Sequence, residues 1–165
     1  MPVLLGRSLK KYKLGLETRK KQPIANEMDM EPCNAGHNFY SEALKKQFTN
    51  QSIHRPVGPT NAYNCHGLTF ASRRTAIFDS NEVRKILADD EYTQVEIKDV
   101  LPGDIVIWIS NEVTHGDIEH SGIVVERTQL NFKVLSKWNA LQEVIHFVND
   151  CPYDSTNLRF YRMYK

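Results

Sequence analysis

Apolar positions follow two different periods along this chain, helical in the first half and strand-like in the second. Phe39, Ala43, Leu44 and Phe48 recur at intervals of three to five and predict a short amphipathic helix over 39–48. Leu68 to Phe78 predicts a second helix, opening at Cys65. Ser80 or Asn81 is expected to cap a third, with Glu82 in its first turn and Val83, Ile86 and Leu87 on one face. Asp89 and Asp90 end it. Past residue 94 the period shortens. Val95-Glu96-Ile97 alternates briefly. Ile105-Val106-Ile107-Trp108-Ile109 is apolar without interruption, which places that strand inside a sheet. His120–Glu126 and Asn131–Trp138 read as strands joined by the hairpin 127–130. Glu143–Val148 reads as a strand or a helical turn. Leu158–Tyr164 alternates and predicts the last strand.

Breakers mark the joints. Residues 22–37 hold Pro23, Pro32 and Gly36, and residues 49–62 hold Pro56, Gly58 and Pro59. Leu101-Pro102-Gly103-Asp104 is a tight turn, and 110–119 is polar loop. Helices first and an antiparallel sheet second predict an α+β domain, with N-terminal helices packed on the sheet.

The 165 residues suit one domain. Residues 1–36 form a basic N-terminal arm and loop, and 37–165 the domain itself. Arg7 to Lys21 carries seven of the 21 Lys and Arg residues against one acid, and reads as a solvated, partly flexible arm. The chain as a whole has a net charge of +1, so no nucleic-acid partner is expected. No apolar run has the length of a membrane span, and no signal peptide is evident. The expected location is cytoplasmic, with export by a route needing no cleaved signal as the alternative. Cys33, Cys65 and Cys151 are far apart and form no C-x-x-C pair, which favours three reduced thiols over a Cys33–Cys151 disulfide.

Cys65 carries the candidate chemistry. It follows Asn61-Ala62-Tyr63-Asn64 and opens a predicted helix, where the dipole and unpaired N–H groups lower a thiol pKa. A thiol nucleophile also needs a base. His66 is its neighbour in sequence, and helical neighbours point about 100° apart, which makes it a poor base. His37 and His54 lie in the loop-rich first third. His120 opens an apolar strand directly after a loop, a placement that lets a side chain reach a cleft from a fixed backbone. His115, Asp117, Glu119 and His120 are metal-binding residue types, but extended backbone splits them between two sides. No metal and no cofactor are expected.

Three segments together resemble the NlpC/P60 cysteine peptidases, a papain-like group related to the CHAP amidases. Asn64-Cys65-His66-Gly67-Leu68 is similar to the family's D-C-S-G nucleophile segment. Leu101-Pro102-Gly103-Asp104-Ile105-Val106 is similar to its L-x-P-G-D turn, and His120-Ser121-Gly122-Ile123-Val124 to its H-V-G-I-Y strand. They fall in family order over residues 61–138. The permuted LRAT-like acyltransferases place the histidine strand before the cysteine. The resemblance implies a peptidase or amidase fold in which Cys65 is the nucleophile and His120 the general base. Ser136 stands at the third, orienting position, on the face of His120 by parity, with Asn139 and His146 as alternatives. Lys137, beside it, cannot accept from an imidazole N–H. Tyr63 is a candidate oxyanion donor. The implied substrate is a peptide or peptidoglycan-like amide. Acyl transfer to an amine or alcohol, or a non-catalytic binding protein on the same fold, are the alternatives.

Overall fold

A computed structural model describes residues 11–33, 42–43, 46–48, 52–53, 59–111, 117–138 and 140–164. The expected helix over 39–48 is described only in part, and it is helical at Glu42–Ala43 and Lys46–Gln47. His37, His54, His115 and Asn139 lie outside the described residues.

The continuous apolar run becomes the middle of the molecule. Strand β5 (Ile105–Ile109) is buried at every position. It is flanked by β6 (Ile118–Arg127) and β9 (Leu158–Met163), both antiparallel to it. The sheet continues through β7 (Phe132–Lys137) and β8 (Glu143–Phe147) to the short β3 (Ser52–Ile53). On its other side it ends with β4 (Tyr92–Val95). The seven strands run in the order β3-β8-β7-β6-β5-β9-β4, and every pairing is antiparallel. Two helices, α1 (Cys65–Phe70) and α2 (Ser80–Asp89), precede the six strands β4 to β9. The fold is α+β.

Alternation along the strands sends side chains into two cores. Val106, Trp108, Val124, Val134, Val144 and Phe160 share one layer with Trp138, Leu141 and Val148. Ile105, Ile107, Ile109 and Ile118 form the other, under Ile77, Val83, Ile86 and Leu87. Helix α1 packs against β6 and β7 on this second side.

Several elements differ from the expectation for physical reasons. The helix opening at Cys65 stops at Phe70, not Phe78. Ser72 and Arg73 take left-handed backbone, at φ 50° and 66°, which no helix continues through. The cap of α2 is Asp79, whose carboxylate accepts from the Asn81 N–H at 2.8 Å, rather than Ser80 or Asn81. β4 ends at Val95, and Ile97–Asp99 is a 3-10 turn. The alternatives for 143–148 resolve to a strand.

Residues 11–33, read from sequence as arm and loop, pack on the body. β1 (Lys11–Tyr12) and β2 (Met28–Asp29) pair with each other, and Ile24 is buried in the helix-side core. Thr18 Oγ1 donates to Asp89, the Arg19 N–H to Asp90 and the Ala25 N–H to Glu82, so the C-terminal end of α2 and its first turn hold the segment. The three bonds meet carboxylates that composition alone gives no way to assign.

The Leu101–Asp104 turn is structural. Gly103 sits at φ 97°, which a side chain would strain. Asp104 Oδ2 accepts from the Leu101 N–H at 2.7 Å, and the carboxylate takes a bidentate bond from Arg162 of β9 at 2.7 and 2.8 Å.

Gly67 fixes how closely α1 lies. A Cβ there would stand 1.8 Å from the Thr75 carbonyl oxygen. Gly67→Ala is therefore expected to lower unfolding stability by about 1–3 kcal/mol through forced displacement of backbone. Urea midpoints of the two proteins measure this, and an unchanged midpoint would mean that α1 is free to shift.

Candidate functional site

The cysteine's position is set one residue earlier. Asn64 Oδ1 accepts from the Gly67 N–H at 2.9 Å, capping α1, and from the Ile77 N–H at 3.1 Å. Its Nδ2 donates to the Ile77 carbonyl at 2.6 Å. An aspartate would cap the helix equally well but would set a carboxylate against that carbonyl. The amide is needed because the same side chain must both accept and donate. Gly67 and Leu68 spend their N–H groups on Asn64, which leaves those of Cys65 and His66 at the helix start.

Cys65 is 6% exposed. Burial pushes its thiol up, but the charges and hydrogen-bonding approach of His66 and His120 reverse this and hold it well below the ordinary cysteine range. His120 is fully buried. Burial lowers its pKa against the pull of Cys65, and His66 adds to the lowering. Among the described residues neither ring nitrogen of His120 finds a hydrogen-bond partner of ordinary geometry, and its effect on the thiol is first through charge and second through a hydrogen-bonding approach. Its ring stacks on Tyr153 at 3.8 Å and 9° between planes, and meets Trp108 at 4.8 Å.

A register shift places that ring. Trp108 pairs with His120, but Ile109 pairs with Ile118, so Glu119 is an extra residue. Unbroken alternation would send Ile118 and His120 to one face. The bulge lets Ile118 join the helix-side core while His120 joins Trp108 in the other.

His66 departs from the sequence expectation. It is buried, and it couples to the neighbouring thiol as closely as His120 does. Its Nδ1 lies 2.8 Å from Ser121 Oγ. Burial lowers its pKa, but the Cys65 charge and hydrogen bond and the Ile118 carbonyl raise it more. The 100° rule describes directions along a helix cylinder. Cys65 is the first residue of α1, and an imidazole is long enough to reach back from the next position.

Ser136 faces the layer expected of it, opposite Gly122, but it does not orient His120. It lies 2.7 Å from His146 Nε2. His146 Nδ1 is 2.7 Å from the Phe147 carbonyl, which only accepts. The proton is therefore on Nδ1, and Ser136 donates to Nε2. Burial pushes His146 down to about 4, so the pair is a neutral, closed unit within the core.

Glu143 and Arg73, which the sequence did not single out, stand on the α1 side together with Tyr63 and Lys137. Glu143 is 2% exposed and accepts from Tyr63 Oη at 2.5 Å and from Arg73 at 2.6 and 3.0 Å. Tyr63 thus gives its proton to Glu143, not to an oxyanion. Lys137, opposite Glu143 in the β7–β8 pairing, is fully buried, donates to the Thr60 carbonyl at 2.9 Å and lies over the Tyr63 ring. Burial lowers its pKa to about 8, against Cys33, Cys65 and Glu143. Strand parity puts Lys137 on the face opposite to Ser136, and the β7–β8 register, which the sequence does not supply, sets it beside Glu143. A cavity of about 230 Å³ adjoins Tyr63 and Asn64 and is rimmed by Lys11, Glu27, Asp29 and Phe78. Cys65 does not line it.

All three cysteines are free thiols. Among the described residues no cluster of three His, Cys, Asp or Glu side chains fits a metal ion, and no helix is long and apolar enough to cross a membrane. Comparison with protein-family models, curated proteins and solved structures finds no match.

His146 makes stability depend on acid. Its folded pKa, about 4, lies below the ordinary value of 6.5, so the unfolded chain binds the extra proton between them. Stability is full above 6.5 and falls as pH drops toward 4. The loss on this account is on the order of 3 kcal/mol. His146→Gln should flatten urea midpoints across that range. An equally steep decline in the variant would place the sensitivity elsewhere.

Proposed function

We propose that this chain is a cysteine-dependent hydrolase, a peptidase or amidase with a papain-like, NlpC/P60-type arrangement of nucleophile and base. The substrate class is a peptide or cell-wall amide. The observation that carries this reading is a buried thiol at a helix start whose acidity two imidazoles raise against the cost of burial. A structural cysteine would show the opposite, as Cys151 does: burial pushes its thiol up.

In the proposed cycle the Cys65 sulfur attacks the amide carbonyl carbon. The C–N bond breaks, a thioester forms, and the thiol proton reaches the leaving amine. Water then forms the new C–O bond, the C–S bond breaks, and the proton returns to sulfur. His120 serves as general base and acid in these transfers. The Cys65 N–H, not consumed by the Asn64 cap, is the donor assigned to the developing oxyanion. Transfer to an amine or alcohol in place of water uses the same residues.

Ser136 is no part of this cycle, since its proton is committed to His146. The aromatic stacking of Tyr153 and Trp108 positions His120 instead of a polar third residue. A binding protein without catalysis would keep this packing and lose only reactivity, so reactivity separates the two.

Mass spectrometry after brief iodoacetamide treatment at neutral pH should find Cys65 modified at least about tenfold faster than Cys33 or Cys151. On a library of peptides and peptidoglycan fragments, Cys65→Ala should abolish cleavage and His120→Ala should reduce it by about a hundredfold or more. Equal, slow labelling of the three thiols, with no cleavage of any library member, would defeat the hydrolase reading.

A further inference from the structure

A second imidazole stands beside the thiol, and the bonds around it fix where its proton lies. Thr69 Oγ1 is 2.9 Å from the Cys65 carbonyl, one helical turn back. A carbonyl only accepts, so the single Thr69 hydroxyl proton points there. Ser121 Oγ is 3.0 Å from Thr69 Oγ1, whose proton is already used, so Ser121 donates. Ser121 has then spent its own proton. At its 2.8 Å contact with His66 Nδ1 it can only accept. Nδ1 therefore carries a hydrogen in every protonation state of the ring, Nε2 is the atom left to gain or lose one, and the Ile118 carbonyl, which only accepts, favours the fully protonated ring. Three residues from two elements converge on that outcome, and His66 is only 3% exposed, so water does not compete for the assignment.

We propose that His66 is the base that receives the Cys65 proton in the resting protein, its Nε2 forming a thiolate–imidazolium pair that the Ser121–Thr69 relay holds in place. The step moves one proton: the S–H bond breaks and an Nε2–H bond forms. His120, whose burial outweighs the pull of Cys65, stays neutral beside the resting pair. During acylation the proton held on His66 Nε2 passes through His120 to the leaving amine, so the proton count of the cycle is unchanged. This division rests on Cys65 being the nucleophile of the proposed hydrolase, and it adds a proton acceptor that a cysteine–histidine dyad with His120 alone does not contain. The directions of the shifts agree with it, His66 raised and His120 lowered. The other titratable groups facing the pair are His120 from β6 and Lys137 from β7. Glu143, Arg73 and Tyr63 lie one layer beyond, bonded to one another.

The test follows the pH dependence of Cys65 alkylation in the full chain, read by mass spectrometry at that residue. His66→Gln should move the midpoint upward and slow labelling at neutral pH by about tenfold or more. Ser121→Ala should shift the midpoint the same way by less, because it frees Nδ1 without removing the ring. His120→Gln should leave most of the thiolate in place while cleavage falls. Ring nitrogen chemical shifts give a second reading that does not depend on the histidine variant folding. In the wild-type protein His66 should be doubly protonated at neutral pH, and in Cys65→Ser it should lose that proton at lower pH. A fast wild-type Cys65 whose profile is unchanged by His66→Gln and Ser121→Ala, with a neutral His66 ring, would overturn the role of His66 and leave the hydrolase standing. A wild-type Cys65 as slow as Cys33 and Cys151 would remove both.

Discussion

Charge buried without water must be balanced by charge or hydrogen bonds close by, and that constraint governs most of this molecule. Cys65, His66, His120, Lys137, Glu143, His146 and Asp104 are all nearly or wholly withdrawn from solvent. Each has a distinct solution. Glu143 and Asp104 take bidentate arginines. His146 stays neutral between a serine and a carbonyl. Lys137 keeps a carbonyl and an aromatic face, with its affinity for a proton reduced. The cysteine and its two imidazoles balance one another. On the proposed reading, this is the part of the core where the compensation is a mobile proton rather than a fixed bond.

Such balance holds only if the elements cannot drift. Asn64 ties the start of α1 to Ile77, Gly67 lets the helix lie against Thr75, and the bulge at Glu119 turns one strand so that adjacent residues serve opposite layers. None of these three is itself reactive. Together they set the distance from which His66 and His120 act on the sulfur, and an error of an ångström at any of them would weaken that action.

The sheet was largely legible from sequence because its strands obey simple rules. Ile105–Ile109 is apolar at every place, and Leu158–Met163 alternates; each pattern has one strand reading. Cys65 and His120 were singled out by context, one at a helix start and the other at a strand start, and the structure brings both to one place. The role of Ser136 comes from the family resemblance, and only its face from parity. Parity selected the correct face, but a face holds several residues, and distance along it gave Ser136 to His146. The end of α1 was missed because left-handed backbone at Ser72 and Arg73, both ordinary side chains, leaves no trace in composition. The reach of His66 was missed because a rule for mid-helix neighbours does not carry to a first turn. The packing of residues 11–33 rests on bonds to α2 that depend on the tertiary fold.

The place of β9 in the sheet has a consequence for the order of events during synthesis. This strand, residues 158–163, is the last of the sheet to leave the ribosome, yet it lies between β5 and β4, in the sheet's interior. Its Arg162 also holds the Asp104 turn that launches β5. A nascent chain that has already made Cys65, both imidazoles and the whole β5–β8 meander still has a gap where β9 belongs. The thiol owes its acidity to His66 and His120 standing close to it, against the cost of burial, and the sheet that carries His120 is complete only once β9 fills that gap.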